Sequence, residues 1–376
     1  MIAPKKPDPG CVITPTGLRR LEVFTNMRVA QIAPLTESVP PRLYGGTERV
    51  VSFLTEELVA IGHDVTLFAS GDSQTTAELV EAWPCALRFD PSVRDTMAPL
   101  MLMLEEVYRR AAEFDVLHFH LDYWPFSLFG RQATPFLTTL HGRLDLPELG
   151  PIFDCFPNVP LVSISDAQRH PLPGANFIET VHHGLPETLL TPRPVEQRYL
   201  AFLGRICPEK RPDRAIRIAL EAGIPLKIAA KVDRVDEAYF RDTIHPMIDG
   251  SRVELIGEIN DAEKSDFISG AVGLLVPIDW PEPFGLVMIE AMACGTPVIA
   301  FNRGSVPEII EHGVTGYIVD DEAEAVAAVG KLGRLSRSAI RGRFERRFTA
   351  RRMAEDYVSL YRRLAVKARP ALRVVT

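Results

Sequence analysis

Two glutamates, Glu282 and Glu290, stand with seven residues between them in the run PEPFGLVMIE, residues 281–290. Pro281 and Pro283 keep the first in a loop, because proline fixes φ and lacks the N–H that a helix interior needs. Leu286, Val287, Ile289, Met292 and Ala293 recur at helical spacing, which predicts a helix around the second. The first turn of such a helix has N–H groups without internal partners, and these can hold an anion. One element thus offers a loop carboxylate, a set of backbone donors and a helical carboxylate. A ligand with a polyhydroxy end, an anionic middle and a second diol matches that order, as in a nucleotide sugar.

Other residues extend this chemistry, each with a plainer alternative. Arg205 follows the strand pattern Leu200–Gly204, and Lys210 comes five residues later at a helix start. A guanidinium fork and an ammonium on one loop can neutralise a diphosphate, and a solvated basic loop would use the same residues. Gly45 and Gly46 precede Thr47 and Glu48 at a strand-to-helix turn, where a glycine pair marks either a tight turn or close backbone approach to a ligand. The dinucleotide fingerprint GxGxxG is not present there. His141 ends the strand pattern FLTTLHG, either as a satisfied core histidine or at the mouth of a cleft. His118 and His120 share one strand face, which invites a metal reading, but no third ligand follows from the spacing. His182 and His183, before Gly184-Leu185-Pro186, read as cleft-lining or structural.

The elements that must position these residues alternate regularly. Strand patterns occur at 29–33, 64–69, 115–119, 135–140, 161–165 and 177–181, with helical patterns at 45–61 and 100–112. A Pro-rich break at 190–198 is followed by strand patterns at 200–204, 226–230, 253–256, 272–276, 297–301 and 315–319, then an arginine-rich helical stretch at 350–364. Such alternation predicts parallel sheets with helices on both faces. The expected division is an extension at 1–26, a first domain at 27–190, a linker at 191–198, a second domain at 199–349, and a terminal helix and tail at 350–376. The 376-residue length supports two domains, and the net charge of −7 argues against nonspecific nucleic-acid binding. No segment reaches the apolar length of a membrane span. The first 26 residues lack an apolar core of the signal-peptide kind, and they and the tail after Arg369 are expected to be disordered. Five scattered cysteines suit a reducing compartment.

The run from Pro281 through Gly295-Thr296-Pro297, Pro307-Glu308 and Gly313-Val314-Thr315-Gly316 resembles the E-x7-E signature of family 4 retaining glycosyltransferases. The resemblance covers nearly the whole chain from Met27 and is specific in the second half. It implies a GT-B fold, two Rossmann-like doubly wound domains with a cleft between them, and a last helix that crosses back to the first domain. It implies transfer of a sugar from a nucleoside diphosphate sugar, with UDP-glucose favoured on frequency, to an acceptor hydroxyl with retention of configuration. Under it, Glu282 holds donor-sugar hydroxyls and Glu290 the ribose diol. Phe284, Gly285 and Leu286 supply amides, Arg205 and Lys210 stabilise the departing diphosphate, His141 faces the reacting centre, and Gly45 and Gly46 lie near the phosphates and the acceptor.

The Asp-x-Asp pair that holds a metal in the other main glycosyltransferase architecture is missing from the sequence. No metal and no cofactor are therefore expected beyond the nucleotide-sugar cosubstrate. The acceptor, a glycan, a lipid-linked sugar or a small molecule, is not legible. The expected place is the cytoplasm, with peripheral association at the inner membrane face as a variant. A phosphorylase- or epimerase-like enzyme on the same fold, or a noncatalytic nucleotide-sugar binder, are the alternatives.

Overall fold

The computed structural model describes residues 26–42 and 45–368. The expected N-terminal extension before residue 26, the tail after Arg369, and Leu43 and Tyr44 lie outside the described residues. Seven strands build the first sheet: β1 Arg28–Ile32, β2 Asp64–Ser70, β3 Glu78–Trp83, β4 Val116–Phe119, β5 Phe136–Thr139, β6 Leu161–Ser163 and β7 Phe177–Thr180. Six build the second: β8 Tyr199–Arg205, β9 Leu226–Lys231, β10 Val253–Gly257, β11 Ala271–Val276, β12 Val298–Phe301 and β13 Gly316–Val319. Their orders are β3-β2-β1-β4-β5-β6-β7 and β10-β9-β8-β11-β12-β13. Every pairing is parallel.

Sequence explains these strands directly. The central ones are short apolar runs, and VLHF in β4 and VIAF in β12 are buried at every residue, as parallel strands covered on both faces require. In each sheet the chain reverses its direction of travel beside the first strand, between β1 and β4 and between β8 and β11. Ligands in such sheets sit at the carboxyl ends around that point. Among the strands, the edge strand β3 is the one the sequence reading missed. Its run ELVEAW is only half covered, and Glu78 and Glu81 are exposed, so it lacks the apolar signature of its neighbours.

The helix Gly46–Ala60 buries Val50, Leu54 and Leu58, one residue per turn, against the first sheet. The last helix, Ala350–Ala368, buries Met353, Ala354, Tyr357, Val358 and Tyr361. It packs on the helix Gly46–Ala60 and on β4, as expected of a helix that crosses back. One apolar cluster consequently runs from Val29 and Leu54, through Tyr357, to Phe284 and Met288 of the second half. Polar contacts fix the same junction. Arg49 of the first half reaches Asp261 at 2.6 Å. Glu308 accepts the amides of Asp166 and Ala167, each at 2.7 Å. Among the described residues no helix is long and apolar enough to cross a membrane.

Candidate functional site

A cleft of about 330 Å³ opens where the carboxyl ends of the two sheets face each other. All ten residues singled out from sequence line it. Glu282, Phe284, Gly285, Leu286, Glu290, Arg205 and Lys210 come from the second half, and Gly45, Gly46 and His141 from the first.

The loop that carries Glu282 is held from both sides. Gly304, at φ 54°, packs so tightly that an added Cβ would lie 2.4 Å from the backbone N and O of Glu282. The next residue, Ser305, donates its amide to Glu282 O at 3.0 Å and its hydroxyl to Phe284 O at 2.8 Å. From the first half, Ser165 Oγ donates to Pro283 O at 2.6 Å. Glu282 itself is 8% exposed, and its Oε2 accepts from Trp280 Nε1 at 2.9 Å and from Lys210 Nζ. Lys210 therefore pairs with the loop glutamate. It lies two residues before the helix Pro212–Ala222, so the expected helix start falls slightly later.

The helix Leu286–Ala293 begins at Gly285, whose φ of 80° is the left-handed conformation that glycine adopts freely. The first-turn amides face the cleft from this point. Glu290, one turn deeper, is 3% exposed and accepts from Lys264 Nζ at 2.7 Å. Lys264 also approaches Asp261 at 3.5 Å. Asp261, held by Arg49, links that carboxylate to the first domain. Arg205 is the last residue of β8 rather than the residue after it. It stands 3.7 Å from Asp233 and 3.5 Å from Asp236. Lys231, at the end of β9, joins it on the cleft wall and pairs with Asp233 at 2.9 Å. Each of these cations on the cleft wall is thus paired with a carboxylate. Arg211, next to Lys210, is half-buried and bound to Asp213 and Asp279 at 2.9 and 3.0 Å.

The first-half wall is a histidine cluster. His141 Nε2 lies 2.8 Å from His120 Nδ1, and its ring stacks on His183 with centroids 5.2 Å apart. Burial pushes His141 down to about 3, and burial also holds His118, His120 and His183 well below the ordinary imidazole range. The cluster is neutral, and each ring therefore has one donor and one acceptor nitrogen. The metal reading of His118 and His120 is not supported. His118 bonds Tyr361 and Thr139, both at 2.7 Å, and His120 bonds Gln31 at 2.8 Å. Among the described residues no group of three or more His, Cys, Asp or Glu is arranged to hold a metal ion. His182 instead meets Glu308 at 3.2 Å. Burial opposes ionisation of Glu308, but the His182 bond and the two amides outweigh it and hold its carboxyl below the usual range. The Pro307-Glu308 motif is thus a domain junction, whose carboxylate caps the short helix Asp166–Arg169 of the other half.

At the Gly45-Gly46 turn, the first glycine is extended, with φ 168°. A Cβ there would meet Pro41 Cβ at 2.8 Å, so chain packing already excludes larger residues. Gly46 has open space around its Cα.

Sequence reasoning missed Lys264, Trp280, Lys231, Ser165 and Ser305. One signal for Lys264 was available. Asn260 and Glu263 form a reciprocal capping box, which fixes a helix start and puts Lys264 in its second turn, at the carboxyl edge of the sheet.

Comparison with known proteins agrees with this geometry. Residues 191–339 match the model of "Glycosyl transferases group 1" and residues 44–216 that of "Glycosyltransferase Family 4". A D-inositol 3-phosphate glycosyltransferase of Kribbella flavida is 28% identical over 353 residues, spanning 76% of this chain and 82% of that protein. Among solved structures, AviGT4, a glycosyltransferase of avilamycin A biosynthesis, has a TM-score of 0.68 at 24% identity, over 90% of this chain and 98% of that one. HepE of Anabaena, solved with UDP and glucose, has a TM-score of 0.64 at 16% identity, over 89% and 99%. The two structural likenesses bear on the fold.

Proposed function

This chain belongs to the family 4-type glycosyltransferases, with the GT-B fold, and on that premise we propose that it is a retaining hexosyltransferase using UDP-glucose. One observation supports this reading: a single cleft wall holds Glu282, the helix terminus at Gly285 and Glu290, in the order in which a sugar, a phosphate and a ribose would meet them. The UDP and glucose bound by HepE support the choice of donor.

In this reading the donor diphosphate lies between Arg205, Lys210 and the amides of Gly285 and Leu286. As the bond from the anomeric carbon to phosphate oxygen breaks, negative charge grows on the β-phosphate. Cations and amides already aimed there stabilise that charge more than the ground state. Lys210 leaves or shares its contact with Glu282, whose carboxylate is then free to accept donor-sugar hydroxyls. Glu290 takes the ribose diol with the carboxylate oxygen that Lys264 does not hold, since a carboxylate can accept several hydrogen bonds. His141, neutral and on the first-half wall of the cleft, is the ring that meets a sugar hydroxyl. The charge is neutralised by side chains and a helix terminus, with no metal or cofactor.

The acceptor enters from the first-domain side, beside Gly46, Thr47 and His141. The inositol phosphate relative makes a polyol or its phosphate the first acceptor class to test. A panel of nucleotide sugars tests the donor, read as thermal stabilisation and slow sugar release. UDP-glucose is expected to stabilise most and to be hydrolysed. A panel in which no nucleotide sugar raises the melting temperature contradicts the proposal.

A further inference from the structure

The cleft histidine is wired to the last helix through a buried chain of polar groups. His141 Nε2 meets His120 Nδ1 at 2.8 Å, and His120 Nε2 meets Gln31 Oε1 at 2.8 Å. On the other side, Gln31 Nε2 donates to Tyr361 OH at 3.0 Å, and Tyr361 OH meets His118 Nδ1 at 2.7 Å. His118 Nε2 meets Thr139 Oγ1 at 2.7 Å, which meets Tyr357 OH at 2.9 Å. Gln31, His118, Thr139 and Tyr361 are 0% exposed, and His120 is 3% exposed. A polar chain this deep in a sheet is costly unless every member is satisfied.

The chain has a direction. Gln31 Oε1 only accepts, so His120 Nε2 carries the proton and His120 Nδ1 is a bare acceptor. His141 must then donate from Nε2, which leaves its Nδ1 as a lone pair. That Nδ1 is the buried atom of the ring without a partner in the protein. On the other side, the Gln31 amide donates to Tyr361, whose hydroxyl donates to His118 Nδ1, and His118 Nε2–H donates to Thr139. Turning the Gln31 amide over would reverse every one of these donors and put a proton on His141 Nδ1.

We propose that Gln31 and His120 are positioning residues that hold neutral His141 in the Nε2–H tautomer, so that its Nδ1 accepts a hydrogen bond from a sugar hydroxyl in the cleft. The chain reaches the last helix at Tyr361, whose hydroxyl accepts from Gln31 and meets His118, so the crossing helix packs on the network that orients His141. The role in turnover rests on the glycosyltransferase reading above, whereas the tautomer does not.

Nitrogen-15 spectra of histidine-labelled, ligand-free protein test the tautomer directly, with the His141 signal assigned by its loss in His141→Gln. The expected result is a protonated Nε2 and a bare Nδ1. A proton on Nδ1 overturns the proposal whether or not the protein transfers sugar. Turnover then tests the role. Gln31→Met removes both polar ends and is expected to lower kcat about tenfold, the rate equivalent of one neutral hydrogen bond. The donor KM should stay within about twofold, because ground-state binding on the opposite wall is untouched. Gln31→Glu can still accept from His120, and it should recover most of kcat together with the wild-type spectrum. A Gln31→Met protein of wild-type kcat, or one whose loss is not recovered by Gln31→Glu, assigns the chain to packing alone. If the tautomer is as stated and no nucleotide sugar is turned over, the functional reading fails and the tautomer assignment stands.

Discussion

Lys264 Nζ sits 2.7 Å from Glu290 Oε1, and the two residues are 9% and 3% exposed. The carboxylate assigned to the ribose therefore already has a buried counter-charge before ligand arrives. Breaking such a pair from one side costs about 3 to 5 kcal/mol, because the remaining charge stays buried without compensation. Lys264→Met should lower stability by that order in denaturant unfolding. Glu290→Gln combined with Lys264→Met should cost much less than the sum of the two single changes. Additive losses would show that the pair is not coupled.

Gly304 supports Glu282 from behind, with no room for a side chain 2.4 Å from the glutamate backbone. Gly304→Ala should push the Glu282 loop out of register, and turnover should fall about tenfold or more, since small misplacements of positioning groups are costly. Strain at φ 54° adds a stability loss of about 1 kcal/mol. Wild-type kcat in a folded Gly304→Ala protein would contradict the support role.

Acid should destabilise the histidine wall. The folded forms of His118, His120, His141 and His183 resist protonation because burial disfavours the cation. The unfolded chain takes up those protons as pH falls through about 6.5. Below that pH the unfolded state binds more protons, so stability falls with pH until the folded groups also titrate, at about 3 for His141. Each group contributes up to about 1.4 kcal/mol per pH unit. The melting temperature should drop between pH 7 and pH 5, and the drop should shrink in His118→Gln. An imidazole of this cluster titrating near 6.5 in the spectra of folded protein would contradict this.

Much of this site was legible in the chain, for a physical reason. Glu282, Gly285 and Glu290 lie within one loop and one helix, so sequence spacing fixes their spatial order. Arg205 ends a strand and His141 follows one by two residues, which places both at the carboxyl edges of the parallel sheets. What sequence could not show is pairing across the fold. Lys264 meets Glu290 from another helix, Gly304 meets Glu282 from another loop, and Tyr361 meets Gln31 over 330 positions. The His118 and His120 alternation suggested a metal because a single strand shows which face they share, but not that Gln31, Thr139 and Tyr361 fill that face. Strand β3 was missed because an edge strand with exposed glutamates looks like a loop.

Leaving-group stabilisation gives the largest expected rate effects. Removing one donor from a site where charge develops costs about 100- to 1,000-fold in kcat. Lys210→Ala should lose turnover on that scale with a smaller change in donor affinity. Arg205→Lys should also be impaired, because a point charge does not replace a planar fork. Excess EDTA should leave wild-type turnover intact. A loss restored by Mg²⁺ or Mn²⁺ would contradict neutralisation by side chains.

The placement of the donor along Glu282, Gly285 and Glu290 is the centre of this account, and UDP binding by calorimetry tests it most directly. UDP contains the ribose and the diphosphate but not the transferred hexose. Glu290→Gln should weaken UDP by roughly 10- to 100-fold, the worth of hydrogen bonds to a charged group. Glu282→Gln should leave UDP affinity within about threefold while turnover of the sugar donor collapses. Equal loss of UDP affinity in the two variants, or a loss confined to Glu282→Gln, would falsify the assignment of sugar and ribose to these two glutamates.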